Sequence, residues 1–149
     1  MKRCRLIYKS ERDPEALPDA ALDDLVDQAF LDNEKAGITG ILLLSGDRFL
    51  QVLEGPVKFV NRLYGRIMAD ERHHDVELIS YESLSIPFFH DWSMRVLRLD
   101  ANLPDQLRDT LVKKYSEHQG HILIPDDLPH VHALLLDARW GLLQADQVA

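Results

Sequence analysis

Residues 38–44, ITGILLL, form an almost unbroken apolar run immediately after Gly37. A strand with one face in water alternates apolar and polar residues, whereas a continuous run is the pattern of a strand covered on both faces. This segment therefore belongs in the middle of a sheet, and the rest of the chain has to provide a layer for each side of it.

The flanking segments supply its neighbours. Ser45-Gly46-Asp47 is turn chemistry, and residues 48–54 (RFLQVLE) read as the partner strand of a hairpin, with Phe49, Gln51 and Leu53 on one face. Upstream, residues 2–10 (KRCRLIYKS) alternate so that Cys4, Leu6 and Tyr8 face one way and Arg3, Arg5 and Lys9 the other, with Ile7 breaking the pattern. Pro18-Asp19 marks a helix start, and a stripe of Leu22, Leu25, Val26, Ala29 and Phe30 carries that helix toward Lys35 and its closing Gly37. The next position on the stripe is Asn33, so an amide ends an oily face. A second helix opens at Gly55-Pro56, carries Val60, Leu63, Tyr64, Ile67 and Met68 on its apolar face, and ends near Asp70 before the polar turn DERHHD.

Residues 76–83 and 93–99 read as a fourth and a fifth strand, separated by the aromatic stretch IPFFHDW. The order strand-helix-strand-strand-helix-strand-strand predicts a ferredoxin-like α+β sandwich with both helices on one sheet face. In the tail, residues 104–115 and a stretch beyond Pro129 with Val131, Leu134, Leu135, Ala138 and Leu142 have helical spacing. Two C-terminal helices are thus available for the other face, and the expected division is residues 1–99 as the sandwich and 100–149 as a helical extension packed on the same domain.

Composition narrows the function classes. A chain of 149 residues, 46% hydrophobic, can bury one core without metal or disulfide support, and its single cysteine, Cys4, allows no intramolecular disulfide. Neither a charged-then-apolar leader nor a long apolar span is present, which predicts a cytoplasmic protein outside the membrane. A formal net charge of −8 without a basic stripe argues against nucleic-acid binding and leaves proteins or small molecules as partners. His73-His74 and His130-x-His132 lack the same-face helical spacing of a zinc pair, so no metal site is expected. The glycine-rich dinucleotide and triphosphate signatures and the hydrolase nucleophile elbow are missing from the sequence.

Asn33 and Gln51 ask most for a chemical explanation, because periodicity puts each on a face otherwise built for burial. An unpaired buried donor or acceptor costs about 1 to 3 kcal/mol, so backbone, water or a ligand must meet them. A satisfied core amide accounts for either one alone; a flat heterocycle with alternating carbonyl and ring nitrogen atoms would satisfy both. Tyr8, pointing inward from its strand, is by itself an ordinary core tyrosine. Trp92 and Met94 share strand parity and have an equally plain reading as packing at the sheet end.

Taken together, RLIYKS, DNEKAGITGILLL, FLQVLEG, the DERHH turn and WSM stand in an order and spacing that resemble the BLUF family of blue-light sensors. The likeness runs from about Lys2 to Arg98, and the LVKKYS stretch of the tail resembles short, stand-alone members. It implies FAD held non-covalently between the first two helices, with Asn33 on the flavin ring and Gln51 between the ring and Tyr8. Arg66, Asp70 and His73 match positions lining the flavin and its ribityl chain, and Leu25 and Ile67 match the apolar residues that sandwich the ring. The family mechanism implied for Tyr8 and Gln51 is light-driven electron and proton transfer from the tyrosine, after which the amide is left in a changed hydrogen-bonding form, by rotation or tautomerisation. Trp92 or Met94 would carry that change outward. Resemblance to the short members also implies a homo-oligomer, a dimer or larger ring, acting on an effector protein.

Two positions depart from the family pattern: Asp32 stands where many members carry asparagine, histidine or arginine, and Ala29 where serine is common. Both fall beside the expected flavin. Two other classes compete with the sensor. A small hydrolase using Arg66 and Asn33 on an oxyanion would need an anion-binding loop that the sequence does not display, and a cofactor-free adaptor would satisfy its polar residues internally.

Overall fold

The computed structural model describes residues 2–89, 91–99 and 103–148. In chain order its elements are β1 (Arg3–Arg12), α1 (Asp19–Ala36), β2 (Thr39–Ser45), β3 (Arg48–Pro56), α2 (Val57–Ala69), β4 (His73–Ser83), β5 (Arg95–Arg98), α3 (Asp105–Tyr115), β6 (Glu117–His118), β7 (His121–Ile122) and α4 (Leu128–Val148). The first five strands form one sheet in the order β4-β1-β3-β2-β5. β3 lies antiparallel between β1 and β2, β4 is antiparallel to β1, and β5 joins β2 in parallel. The first four strands and two helices make the interleaved pair of units that defines the ferredoxin-like α+β sandwich expected from the element order.

The sheet has a separate core on each face. Along β2, Leu42 and Leu44 join Cys4, Leu6, Tyr8, Leu22 and Val60 beneath α1 and α2. Ile41 and Leu43 instead join Ile7, Leu50 and Val52 against Leu107, Leu111, Val131, Leu134 and Ala138 of α3 and α4. The continuous apolar run of β2 is thereby explained, and Ile7, the break in the alternation of β1, serves the second core. No helix among the described residues is long and apolar enough to cross a membrane.

Two glycines meet specific steric demands. Gly37 caps α1 at φ 70°, where the amide of Ile38 bonds the Asn33 carbonyl at 2.9 Å. This left-handed cap sets the last turn and so the direction of Asn33. At Gly40 a Cβ would stand 1.9 Å from the Val52 carbonyl oxygen, so no side chain fits.

The structure corrects several expectations. β4 begins at His73 rather than at residue 76, and β1 continues to Arg12, because Arg12 pairs with His73 and Glu11 with His74 beyond irregularities in the β1–β4 ladder. A bulge breaks the period-two pattern, so alternation could not reveal the extra pairing. β5 is confined to Arg95–Arg98, and the short β6–β7 hairpin between the last two helices was not expected. Phe30 and Met68 are 43% and 57% exposed instead of core. Each lies eight residues beyond the first buried residue of its helix, about 80° around the axis, and falls on the margin of the apolar stripe.

Candidate functional site

A cleft of about 190 Å³ opens between α1 and α2 above the first core. Tyr8, Leu25, Asp32, Asn33, Gln51, Arg66, Ile67, Asp70, His73 and Met94 all line it, so residues from β1, α1, β3, α2, β4 and the approach to β5 meet at one place. Trp92 is absent from that lining. Strand alternation brings Tyr8 and Gln51 to the floor, while Leu25 and Ile67 reach in from the facing helices.

Tyr8 and Gln51 are direct cross-strand partners, 4% and 8% exposed. The Tyr8 hydroxyl donates to Gln51 Oε1. Gln51 Nε2 lies 3.7 Å from Met94 Sδ, a weak acceptor that meets one of its two N–H groups. The Tyr8 ring packs 5.6 Å from that of Tyr64 and edge-on to His73 at 6.4 Å. Burial above all, with Tyr64 and Asp70 adding to it, pushes the Tyr8 pKa well above its usual range, so the phenol keeps its proton.

His73 is held at both nitrogens. Nε2 is 2.5 Å from the Ile67 carbonyl oxygen and Nδ1 is 2.8 Å from Ser10 Oγ. A carbonyl can only accept, so Nε2 carries the hydrogen, and in the neutral ring Nδ1 accepts from Ser10. Ser10 was not singled out in the sequence, although it shares the parity of Tyr8 and could have been found on that ground.

Asn33, buried at the end of α1, donates Nδ2 to the Ser93 carbonyl at 3.0 Å. Its Oδ1 has no hydrogen-bond partner among the described residues, and one N–H of Nδ2 is also uncommitted. At the mouth, Arg66 is exposed and makes no ion pair among the described residues. Asp70 is clasped by Arg72, whose Nε and second guanidinium nitrogen lie 2.9 and 2.6 Å from its oxygens, and these bonds hold the carboxyl below its ordinary pKa. Arg72 also escaped the sequence reading. Asp32 is exposed and accepts from Gln28 Nε2 at 3.0 Å, which turns it along the helix surface at the rim.

These donors fit a flavin ring. The cleft has apolar walls at Leu25 and Ile67 and free amide hydrogen-bonding capacity on Asn33 and Gln51, the groups required by a flat heterocycle with alternating donors and acceptors. Arg66 adds an exposed cation at the rim of the cleft.

Trp92 and Met94 do not share a face. Met94 is buried on the cleft side, whereas Trp92 packs against the core beneath α4, with its ring 5.8 Å from that of Phe89 and 4.8 Å from the Arg95 guanidinium. The parity expectation fails because the strand starts only at Arg95 and the preceding residues turn into it.

The family described as sensors of blue-light using FAD, BLUF, matches residues 4–95. The chain is 40% identical over 72 residues to the blue light- and temperature-regulated antirepressor BluF of Escherichia coli (strain K12), covering 48% of this chain and 17% of that protein. It is 31% identical over 97 residues to photoactivated adenylate cyclase subunit alpha of Euglena gracilis, covering 64% of this chain and 10% of that one. Among solved structures, BlrB, a BLUF protein in its dark state, superposes with a TM-score of 0.69 at 27% identity over 95% of this chain and 96% of its own. BlsA in its photo-activated state gives 0.68 at 26% identity, covering 90% and 94%.

Proposed function

The chain belongs to the BLUF family of sensors of blue light using FAD, and from that premise we propose that Tyr8 and Gln51 are its photoactive pair. The observation that carries this reading is the hydroxyl of Tyr8 donating to Gln51 Oε1 in the buried floor of the cleft. Asn33 would hold the flavin ring through its uncommitted amide groups, Leu25 and Ile67 would give it apolar walls, and Arg66, Asp70 and His73 would line its ribityl chain, with Asp32 at the rim.

Bound flavin supplies the absorption of blue light and a transient acceptor for one electron. Tyr8 would be the residue that lends this electron and, after it, its hydroxyl proton, with Gln51 Oε1 as the first acceptor along the bond. Both return to Tyr8, so neither residue ends oxidised or reduced. What persists is Gln51 in a different hydrogen-bonding form. An amide presents a donor and an acceptor on one planar group, so rotation or tautomerisation exchanges what it offers to Tyr8 and to Met94.

The rearranged amide no longer presents the same N–H to Met94 Sδ, and this is where the signal leaves the cleft, toward Trp92 and β5. The protein is then a sensor rather than an enzyme: residues 1–99 hold the flavin, residues 100–149 pack on the same domain, and the output is contact with an effector protein by a cytoplasmic homo-oligomer. The test is a light-minus-dark absorption spectrum of the FAD-loaded protein. A reversible red shift is expected in wild type and its absence in Gln51→Ala with flavin still bound; a shift that survives in both Gln51→Ala and Tyr8→Phe would refute the pair.

A further inference from the structure

Glu54 stands on the face of β3 turned away from the cleft, is 0% exposed, and is not used by the photochemistry proposed above. Arg5, its cross-strand partner, donates Nε to Glu54 Oε2 at 2.7 Å. The other partners of the carboxylate come from the segment before β5: the amide of Phe88 lies 2.9 Å from both oxygens and that of Phe89 2.8 Å from Oε1. Arg5 adds a bond to the Ile86 carbonyl at 2.6 Å, and its guanidinium sits 3.5 Å from the centre of the Phe88 ring. A buried ion pair is seldom more stabilising than an apolar pair of the same volume, so the gain from this one is geometric: it fixes where a loop without regular structure of its own must lie.

The far end of that loop is tied to the cleft. The Ser93 carbonyl accepts from Asn33 Nδ2, Met94 Sδ receives Gln51 Nε2, and the Trp92 carbonyl accepts from the Gly40 amide at 2.7 Å. On the helix side, the Phe88 ring meets His132 of α4 edge-on at 5.6 Å. One short segment therefore crosses the sheet from the β4 edge to the β5 edge, tied to two amides of the cleft and to a histidine on α4.

We propose that Glu54 is a positioning residue: by holding the amides of Phe88 and Phe89, it keeps segment 84–94 taut between the cleft and α4, so that a change at Ser93 and Met94 is delivered to α4 through Phe88 and His132. This rests on the sensor reading. Without the anchor the segment absorbs the displacement locally, and α4 no longer responds.

The test uses FAD-loaded full-length protein, with the flavin spectrum and amide hydrogen exchange of residues 128–140 both recorded in light and darkness. Wild type should show the red shift together with a light-dependent change in α4 exchange of at least about threefold. Glu54→Gln keeps the side-chain shape but turns an NH2 toward donors; it should retain the red shift and lose the α4 change. Glu54→Asp, which keeps the charge but withdraws the carboxylate by one methylene from the Phe88 and Phe89 amides, is the second variant should Glu54→Gln not fold, with the same loss expected. An α4 response to light as large in the variant as in wild type overturns the proposal alone, as does a wild-type red shift without any α4 response. A red shift abolished by Glu54→Gln would place the residue in the photochemistry and overturn its positioning role. Wild-type protein that binds FAD without a red shift overturns the sensor reading and this one with it.

Discussion

Tyr8 and Gln51 face each other in direct register across β1 and β3, and the phenol hydroxyl of one donates to the amide oxygen of the other. Tyr8→Phe removes only that donor, leaving the ring packed against Tyr64 and His73. Gln51 Oε1 loses its partner in a buried site, so stability should fall by about 1 to 3 kcal/mol in urea unfolding. Flavin should stay bound while the light-induced red shift disappears.

The same phenol makes stability depend on alkaline pH. Its folded-state pKa is raised, mainly by burial, above the value near 10 of an unfolded chain. The folded state therefore holds the proton more tightly, and the resulting stability is complete below about pH 10 and is lost as the pH climbs from there through the folded value. Tyr115, buried and bonded to Asp137, shifts in the same direction, so the difference between wild type and Tyr8→Phe isolates Tyr8. Unfolding free energies taken from about pH 8 to pH 11 should decline more steeply in wild type than in the variant; parallel curves would contradict the assignment.

Asn33 offers the cleft an amide oxygen with no partner among the described residues and one spare N–H. If these hold the flavin ring, Asn33→Ala should weaken FAD binding by about tenfold, the equivalent of one good hydrogen bond. Titration of apoprotein followed by flavin fluorescence measures it, and an unchanged affinity would remove Asn33 from the site.

Met94 accepts from Gln51 Nε2 through its sulfur. Met94→Leu keeps the volume and the packing beneath α1 but removes the acceptor, so the flavin should still bind and shift in light. Loss of one weak hydrogen bond, about 0.5 kcal/mol, should change the rate of dark recovery by about twofold, read from the decay of the shifted absorbance.

At Gly40 the backbone of β3 leaves no space for a side chain. Gly40→Ala should cost more than about 3 kcal/mol, since β2 and β3 must separate to admit the methyl group and the bond from Gly40 to the Trp92 carbonyl is disturbed with them. Thermal unfolding would report it as a markedly lowered Tm, and a near-neutral effect would mean that the hairpin relaxes in a way its close packing does not suggest.

Much of the fold could be read along the chain. The apolar run of β2 demanded a two-sided sheet, the stripes of α1 and α2 indicated where each helix would bury, and the order of elements led to the ferredoxin-like arrangement. Tyr8, Asn33 and Gln51 were visible as polar groups on apolar faces, but their common destination came from family resemblance rather than from spacing. Periodicity alone overextended the core to Phe30 and Met68, because a residue on the stripe margin is buried only if some other element reaches it.

Local repeats of 2 and 3.6 residues determine which elements form and which faces they bury, and for this chain the sequence contained that much. Only the tertiary structure decided that Met94 turns to the cleft and Trp92 away from it, that Arg72 clasps Asp70, that Ser10 and Ile67 hold His73, and that Glu54 anchors the loop before β5. Each of these depends on a turn, a bulge or an irregular segment whose course is set by contacts distant in sequence. Arg5 and Glu54 are 49 residues apart, and Glu54 and Phe88 are 34 apart. No periodic pattern spans such distances, so a buried carboxylate on β3 carries no sign in the sequence of the backbone amides it will meet.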